Sequence, residues 1–387
     1  MGERIRELLA SREASALALL ERLVNEGSFT ENVAGGTRVA HLIERELASI
    51  DGLAARLVPS ESGRFAPHVV AWTRAAEASA EGAVALVGHL DTVFPTGTFE
   101  GFRREGPLAR GPAVLDMKGG LVVVVEALRA LAATGALGAI PVRVVIVSDE
   151  EVGSPEGRHV IAREVRGARA ALVFEAGRAG DAIITARKGT ASARVIATGK
   201  AAHAGNAHAA GANAIWALAR FVERAQGLTD YARGLTVNVG TVGGGTSKNT
   251  VPDRAEAAVD LRFVTPPDGV ALLAALDAGA RDSAATLPGT SIEVVRGPSR
   301  APLVRDDRNV ALYRAYGACA RAAGLGDGEA PLLGGGSDAS TTAAMGIPSI
   351  DGLGPRGSGF HTTDEVVEVA SLAPKAEALA RFLLTGR

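Results

Sequence analysis

The stretch GHLDTVFP, residues 88–95, follows an apolar run, AVALV (83–87), and sets a histidine and an aspartate two positions apart. A core strand has no packing use for either side chain, and the chain holds only 7 histidines. Two other apolar runs end in the same way. Asp149, Glu150 and Glu151 follow VRVVIV (142–147), and Glu175 follows ALVF (171–174). Asp116 stands in a loop before a helical pattern, and His361 in a glycine-rich loop, GLGPRGSGFHTTDE. Histidines and carboxylates without thiolates form a nitrogen and oxygen donor set suited to Zn2+, Co2+ or Mn2+. The donors outnumber what one tetrahedral zinc needs. Two metals about 3.5–4 Å apart and bridged by one carboxylate would use them all. Such a pair can deprotonate a shared water and polarise a carbonyl oxygen, given a general base to carry the proton to the leaving nitrogen.

Those residues need a scaffold. From about 80 to 176, short β-branched runs alternate with helical patterns: 83–87, the helix GGLVVVVEALRALAATG, 142–147, a short helix near EGRHVIAREV, then 171–174. That alternation predicts a mostly parallel sheet with helices on both faces, and strands apolar on both sides belong in such a sheet. Val122–Val125 would also suit a strand, but Gly120 and the Leu128/Leu131 spacing favour helix. Ligands bind beyond the carboxyl ends of such strands, where the histidine and acidic clusters fall. From about 188 to 297 the rhythm changes to strand TASARVIATG, helix GANAIWALARFVERAQ with Ile215, Leu218 and Val222 on one face, strands GLTVNVGTV and RAEAAVDLRFV, helix PDGVALLAALDAGARDS and strand TSIEVVRG. The order β-α-β-β-α-β is ferredoxin-like. After Pro298 the chain returns to helix (VALYRAYGACARAAG), strand (PSID) and helix (SLAPKAEALARFLLTG). The expected organisation is an α/β catalytic domain in two parts, 1–187 and 298–387, with an inserted ferredoxin-like domain, 188–297.

Composition narrows the function classes. A chain of 387 residues, 47% hydrophobic and 22% charged, is an ordinary globular protein of two-domain size. Its net charge of −2 comes with no basic stripe, so no nucleic-acid partner is expected. One cysteine, Cys319, rules out an internal disulfide. MGERIRELLASREASALALLERLV reads as one amphipathic helix rather than a signal peptide, and the longest apolar run, VALLAAL, is too short to span a membrane. The expectation is a cytoplasmic protein with no membrane partner.

In chain order, the segments GHLDTV, GPAVLDMKGG, SDEEVGS, VFEAG, GKAAHAG, GGGSDA and FHTTDE resemble the two-zinc exopeptidase and amidohydrolase family of glutamate carboxypeptidase (carboxypeptidase G type), acetylornithine deacetylase, succinyl-diaminopimelate desuccinylase and aminoacylase. They run from about residue 84 to 365, most of the chain. The resemblance implies two Zn2+ per subunit, with Co2+ or Mn2+ as substitutes. It makes His89 and Glu175 ligands of one zinc, Asp116 the bridge, and Glu151 and His361 ligands of the other. Glu150 becomes the general base and Asp91 the carboxylate that orients His89. Glu150 and Glu151, adjacent at a strand end, would point to opposite sides. Ala113 and Leu115 depart from the smaller or more flexible residues common in relatives, which could reshape the loop presenting Asp116. The inserted domain would be a lid and dimerisation module, giving a homodimer. On it, His203 would polarise the scissile carbonyl or stabilise its oxyanion, often across the subunit boundary. Asn249, Arg262 and the backbone of Gly335 and Gly336 would hold the free carboxylate of a small-molecule or peptide substrate.

The function expected from this resemblance is hydrolysis of an amide bond next to a free carboxylate, most like a glutamate carboxypeptidase releasing a C-terminal amino acid. The alternative is an N-acyl-amino-acid deacylase of the acetylornithine, succinyl-diaminopimelate or aminoacylase type. A non-catalytic binding module would have lost Glu150 or a ligand. A nucleotide-binding protein would need a phosphate loop, and neither GTVGGGTSKNT nor GGGSDAST has the spacing. His41, His159 and His208 read as surface, His68 as a satisfied strand-edge residue, and Trp216 as core.

Overall fold

The structure is a computed structural model describing residues 1–385. The chain forms two compact units, one of Met1–Ala186, Arg305–Leu333 and the segment from Ser337 onward, the other of Arg187–Val304 with Gly334–Gly336.

The strands of the principal sheet of each unit, in chain order, are β1 (Leu53–Val58), β2 (His68–Thr73), β3 (Val84–His89), β4 (Val142–Val147), β5 (Ala170–Val173), β6 (Gly189–Thr198), β7 (Thr236–Gly244), β8 (Arg254–Phe263), β9 (Ser291–Arg300) and β10 (Ser349–Ile350). The first unit's sheet has the order β1-β2-β4-β3-β5-β10. β4, β3, β5 and β10 run parallel to one another, while β2 pairs antiparallel with both β4 and the edge strand β1. Every residue of β3, β4 and β5 is buried, which explains why the runs carry no polar alternation. The register Gly88↔Ile146 and His89↔Val147 shows which face each helix covers. A Cβ on Gly88 would lie 2.5 Å from Met117 Cε, at the start of helix Lys118–Ala133. Val147, on the opposite face, packs against Gly157 of helix Gly157–Glu164. Val122–Val125 are helical and buried.

Gly120 lets that helix approach the end of β5, because a Cβ there would sit 2.1 Å from the main-chain oxygen of Phe174. Backbone cannot yield as a side chain does, so Gly120→Ala is expected to lower stability by about 1–3 kcal/mol. The denaturant midpoint measures this; an unchanged midpoint would show that the contact tolerates a methyl group.

The N-terminal segment is not one helix. It breaks at Arg12, between Gly2–Ser11 and Glu13–Asn25, where the guanidinium turns to Glu126 on helix Lys118–Ala133. His68 is the first residue of β2, at the edge of that strand, and with β2 lying between β1 and β4 its imidazole is fully buried. Its Nδ1 accepts the Ser148 N–H at 3.2 Å, anchoring the chain just before Asp149. The last helix spans Leu372–Thr385, and Gly386, with which its sequence pattern ends, is outside the described residues. Among the described residues no helix is long and apolar enough to cross a membrane.

The second unit's sheet has the order β7-β8-β6-β9, antiparallel throughout, with helices Ala214–Gln226 and Pro266–Ala285 in the crossovers. This is the ferredoxin-like order. Val195, Leu218, Phe221, Leu261 and Leu276 lie in its core. β9 runs through Pro298 to Arg300, with a register shift between Arg296 and Ser299, so the sheet extends beyond residue 297. The buried stripe of helix Ala214–Gln226 is Ala214, Ala217, Leu218, Phe221 and Ala225. Ile215 is therefore 41% exposed rather than on the core face, and Trp216 is 55% exposed rather than core. His41, His159 and His208 are at the surface.

Candidate metal centre

The donors gather where β3, β4 and β5 end. His89 is the last residue of β3, Glu150 and Glu151 lie on a short helical turn after β4, and Glu175 follows β5 and Phe174. Asp116 comes from the loop before helix Lys118–Ala133, and its bond to Met117 is cis. His361 stands on a loop with a positive φ of 63°. Ligand atoms of His89, Glu150 and Glu175 lie within 4.8 Å of one another, and so do those of Asp116, Glu151 and His361.

One carboxylate joins the two groups. Asp116 Oδ1 is 3.4 Å from His89 Nε2, and its Oδ2 is 3.3 Å from His361 Nε2. Glu175 Oε2 is 3.8 Å from His89 Nε2, and Glu151 Oε2 is 3.3 Å from His361 Nε2. Glu150 and Glu151 do not alternate as on a strand. The helical turn sends Glu150 to the His89 group and Glu151 to the His361 group.

Asp91 does more than orient one imidazole. His89 Nδ1 is 3.1 Å from the Asp91 main-chain oxygen and 3.4 Å from its Oδ1. An oxygen there can only accept, so Nδ1 donates and the Nε2 lone pair is left for a metal. The same carboxylate accepts the N–H of Glu150 at 3.1 Å, the N–H of Glu151 at 3.2 Å and the Thr30 hydroxyl at 2.8 Å. The sequence reading missed Thr30, which lies 61 residues from its partner. It also missed a structural role for Asp149, whose buried carboxylate takes the N–H groups of Glu156 and Gly157 at 2.7 and 3.0 Å. Burial pushes that carboxyl up to about 7 against those bonds. Glu365 is a third omission, although FHTTDE contains it. Fully buried, it accepts the N–H groups of Ala113, Leu115 and Asp116 at 3.0, 2.8 and 2.8 Å. Ala113 has a left-handed φ of 57°, so the loop does take an unusual course at this position.

The charge balance fits a cation. Burial raises Glu151 to about 7, opposed by the His361 hydrogen bond, and burial with the neighbouring Asp116 charge raises Glu175 well above the carboxylate range. Hydrogen bonds that His361 donates to Asp116 and Glu151 push its imidazole up to about 10. The Glu151 and Glu175 carboxyls thus resist ionisation where like charges crowd, and a bound cation would relieve that crowding. Among the described residues Asp116 Oδ1 and Glu151 Oε1 are buried with no hydrogen-bond donor, and an unmet buried acceptor is costly. The residues therefore fit a metal at each group.

In the second unit, His203 pairs with Thr250 on a two-stranded ribbon, and the Asn249 main-chain oxygen accepts the Ala204 N–H at 2.9 Å. His203 Nδ1 accepts the N–H groups of Gly205 and Asn206 at 3.1 and 3.0 Å, which leaves the ring proton on Nε2. Arg262 makes a bidentate pair with Asp260 at 2.8 and 3.0 Å and donates to the Gly334 oxygen at 3.3 Å. Arg187 donates to the Gly335 oxygen at 3.2 Å. Gly336 admits the Arg300 side chain, whose Cδ would lie 2.9 Å from a Cβ there.

An α/β sheet whose strand ends present two histidine-carboxylate groups sharing one aspartate is the framework of a metal-dependent hydrolase. The chain belongs to Peptidase family M20/M25/M40, whose sequence profile matches residues 85–385. It is 29% identical to carboxypeptidase G2 of Pseudomonas sp. (strain RS-16) over 378 residues, 96% of this chain and 89% of that one. Aminopeptidase PepT of Bacillus cereus has the same fold, with a TM-score of 0.80 at 22% identity over 96% of this chain and 98% of that chain. So does Bacillus subtilis YXEP, described as a dinuclear metal-binding peptidase, with a TM-score of 0.72 at 16% identity over 97% and 98%.

Proposed function

We propose that the protein is a two-metal exopeptidase that cleaves the amide bond next to a free carboxylate and releases a C-terminal amino acid, glutamate foremost. The observation that carries this reading is Asp116, with one oxygen directed at each histidine group. His89 and Glu175 would hold one ion, Glu151 and His361 the other, and Asp116 both. Zn2+ suits the donor set, with Co2+ or Mn2+ as substitutes. The chemistry such a pair supplies when bound is Lewis-acid polarisation of the scissile carbonyl and acidification of a water.

The protein's own groups do the rest. Glu150, pinned through its amide to Asp91, takes the water's proton and delivers it to the departing nitrogen. Asp91 holds His89 and the Glu150–Glu151 turn in one frame. His203 is assigned the developing oxyanion, supported by its fixed Nε2 proton. Asn249, Arg262 and the Gly335–Gly336 backbone are assigned the substrate carboxylate. The Asp260 pair already orients the Arg262 fork. The glutamate preference is supported by the likeness to carboxypeptidase G2 along nearly the whole chain. A homodimer through the second unit is supported by the exposed Val242 on β7 and by Ile215 and Trp216; a solution mass of one chain would remove it.

His203→Ala is expected to lower kcat by about 10²- to 10³-fold, the cost of one oxyanion donor, with metal content unchanged. Loss of metal would instead make His203 a ligand. The overall reading is tested by amino-acid release from dipeptides and N-acyl substrates ending in Glu, Asp, Ala, Leu, Phe or ornithine, with Zn2+ present. Preference for glutamate supports the carboxypeptidase reading. Preference for an apolar or basic residue moves the protein to the deacylase side, and silence across the panel with two metals bound overturns the substrate class.

A further inference from the structure

Glu365 lies outside the donor set, yet its position ties two donors together. A small antiparallel sheet places Gly357–Ser358, Val366–Glu368, Leu108–Arg110 and Arg103–Glu105 side by side. Val366 is opposite Arg110 and Val367 opposite Ala109. Two loops leave this sheet at neighbouring points. Residues 111–116 follow Arg110 and end on Asp116, while residues 359–365 close the hairpin before Val366 and carry His361. Glu365 is where the loops meet. Its Oε1 accepts from Leu115 and Asp116 and its Oε2 from Ala113. On the outer side, Arg110 donates to the Thr363 oxygen and to Asp364.

The first donor group is built differently. His89, Glu150 and Glu175 come from the ends of β3, β4 and β5 in the large sheet. Of the second group, Asp116 and His361 both depend on the small sheet, and only Glu151 comes from the large one. A carboxylate with no exposure is an expensive way to hold an ordinary loop. Its three amide contacts instead fix the loop that aims Asp116 at His361, in the manner of outer partners that orient metal ligands.

We propose that Glu365 is a positioning residue that makes Asp116 and His361 one mechanical unit and thereby sets the affinity of the second metal more strongly than that of the first. This rests on the two-metal reading above. The test titrates metal-depleted wild type, Glu365→Gln and Glu365→Ala with Co2+, following visible absorption and heat for each equivalent. Glutamine keeps Oε1 for Leu115 and Asp116 but sets an NH2 against the Ala113 N–H. The expected result is a second step weakened about 10- to 100-fold and a first step, which shares only Asp116 with that unit, weakened several-fold less, with larger effects in alanine than in glutamine. Glutamine carries the test if alanine does not fold. An unchanged second step, or both steps weakened alike, overturns the proposal. Wild-type stoichiometry reports separately on the two-metal reading, because the inference is read only from the ratio of variant to wild type.

Discussion

Glu150→Gln is expected to keep both ions and lose about 10²- to 10⁴-fold in kcat, with KM within a few-fold of wild type. Glutamine preserves the shape of the side chain and leaves the backbone N–H bond to Asp91 Oδ1 in place. What it loses is the ability to accept a proton from water and pass it to the leaving nitrogen. The position makes the test sharp, because a ligand atom of Glu150 lies within 4.8 Å of those of His89 and Glu175, close enough to serve a metal instead. Elemental analysis beside steady-state kinetics separates the roles. Two ions with little turnover identify a base, while loss of one ion identifies a ligand. Near-normal turnover with both ions present would remove Glu150 from the chemistry.

Asp116→Ala is expected to abolish turnover by emptying both groups. Each Asp116 oxygen faces a different histidine, so one substitution removes a donor from each. The loss should exceed the about 10- to 100-fold typical of a partner that only orients a ligand. Thermal unfolding gives a second readout. Metal that binds the folded chain stabilises it by about 2.7 kcal/mol at one hundred times its Kd. Wild type should therefore gain in unfolding midpoint when Zn2+ is added, and Asp116→Ala should gain little. A variant that keeps the full gain would show that the bridge is dispensable and that the groups bind independently.

The donor residues were legible because they break a pattern. His89, Glu151 and Glu175 follow runs in which every position is buried, so a polar residue at the end of each run stands out. The ferredoxin-like order was legible because each strand and helix of the second unit has its own period and punctuation. Periodicity says less about which residues a face will cover. Trp216 and Ile215 fit an apolar helix, but the sheet covers the stripe of Ala214, Leu218 and Phe221 instead. Long-range hydrogen bonds leave no local trace at all. Thr30 reaches Asp91, and Glu365 reaches residues 113–116 from about 250 positions away. The turn of Glu150–Val152 was likewise hidden, since DEEV after a strand gives no warning that both carboxylates will face donor groups.

Gly334–Gly336, grouped with the second unit although the chain around it belongs to the first, has a practical consequence for anyone who wishes to transplant that unit. Cutting the gene at codons 187 and 304 yields an uninterrupted insert that looks like a cassette. Such an insert would leave behind the Gly334 carbonyl that receives Arg262 and the Gly335 carbonyl that receives Arg187. A chimera that aims to exchange specificity therefore has to move two separated pieces of sequence together.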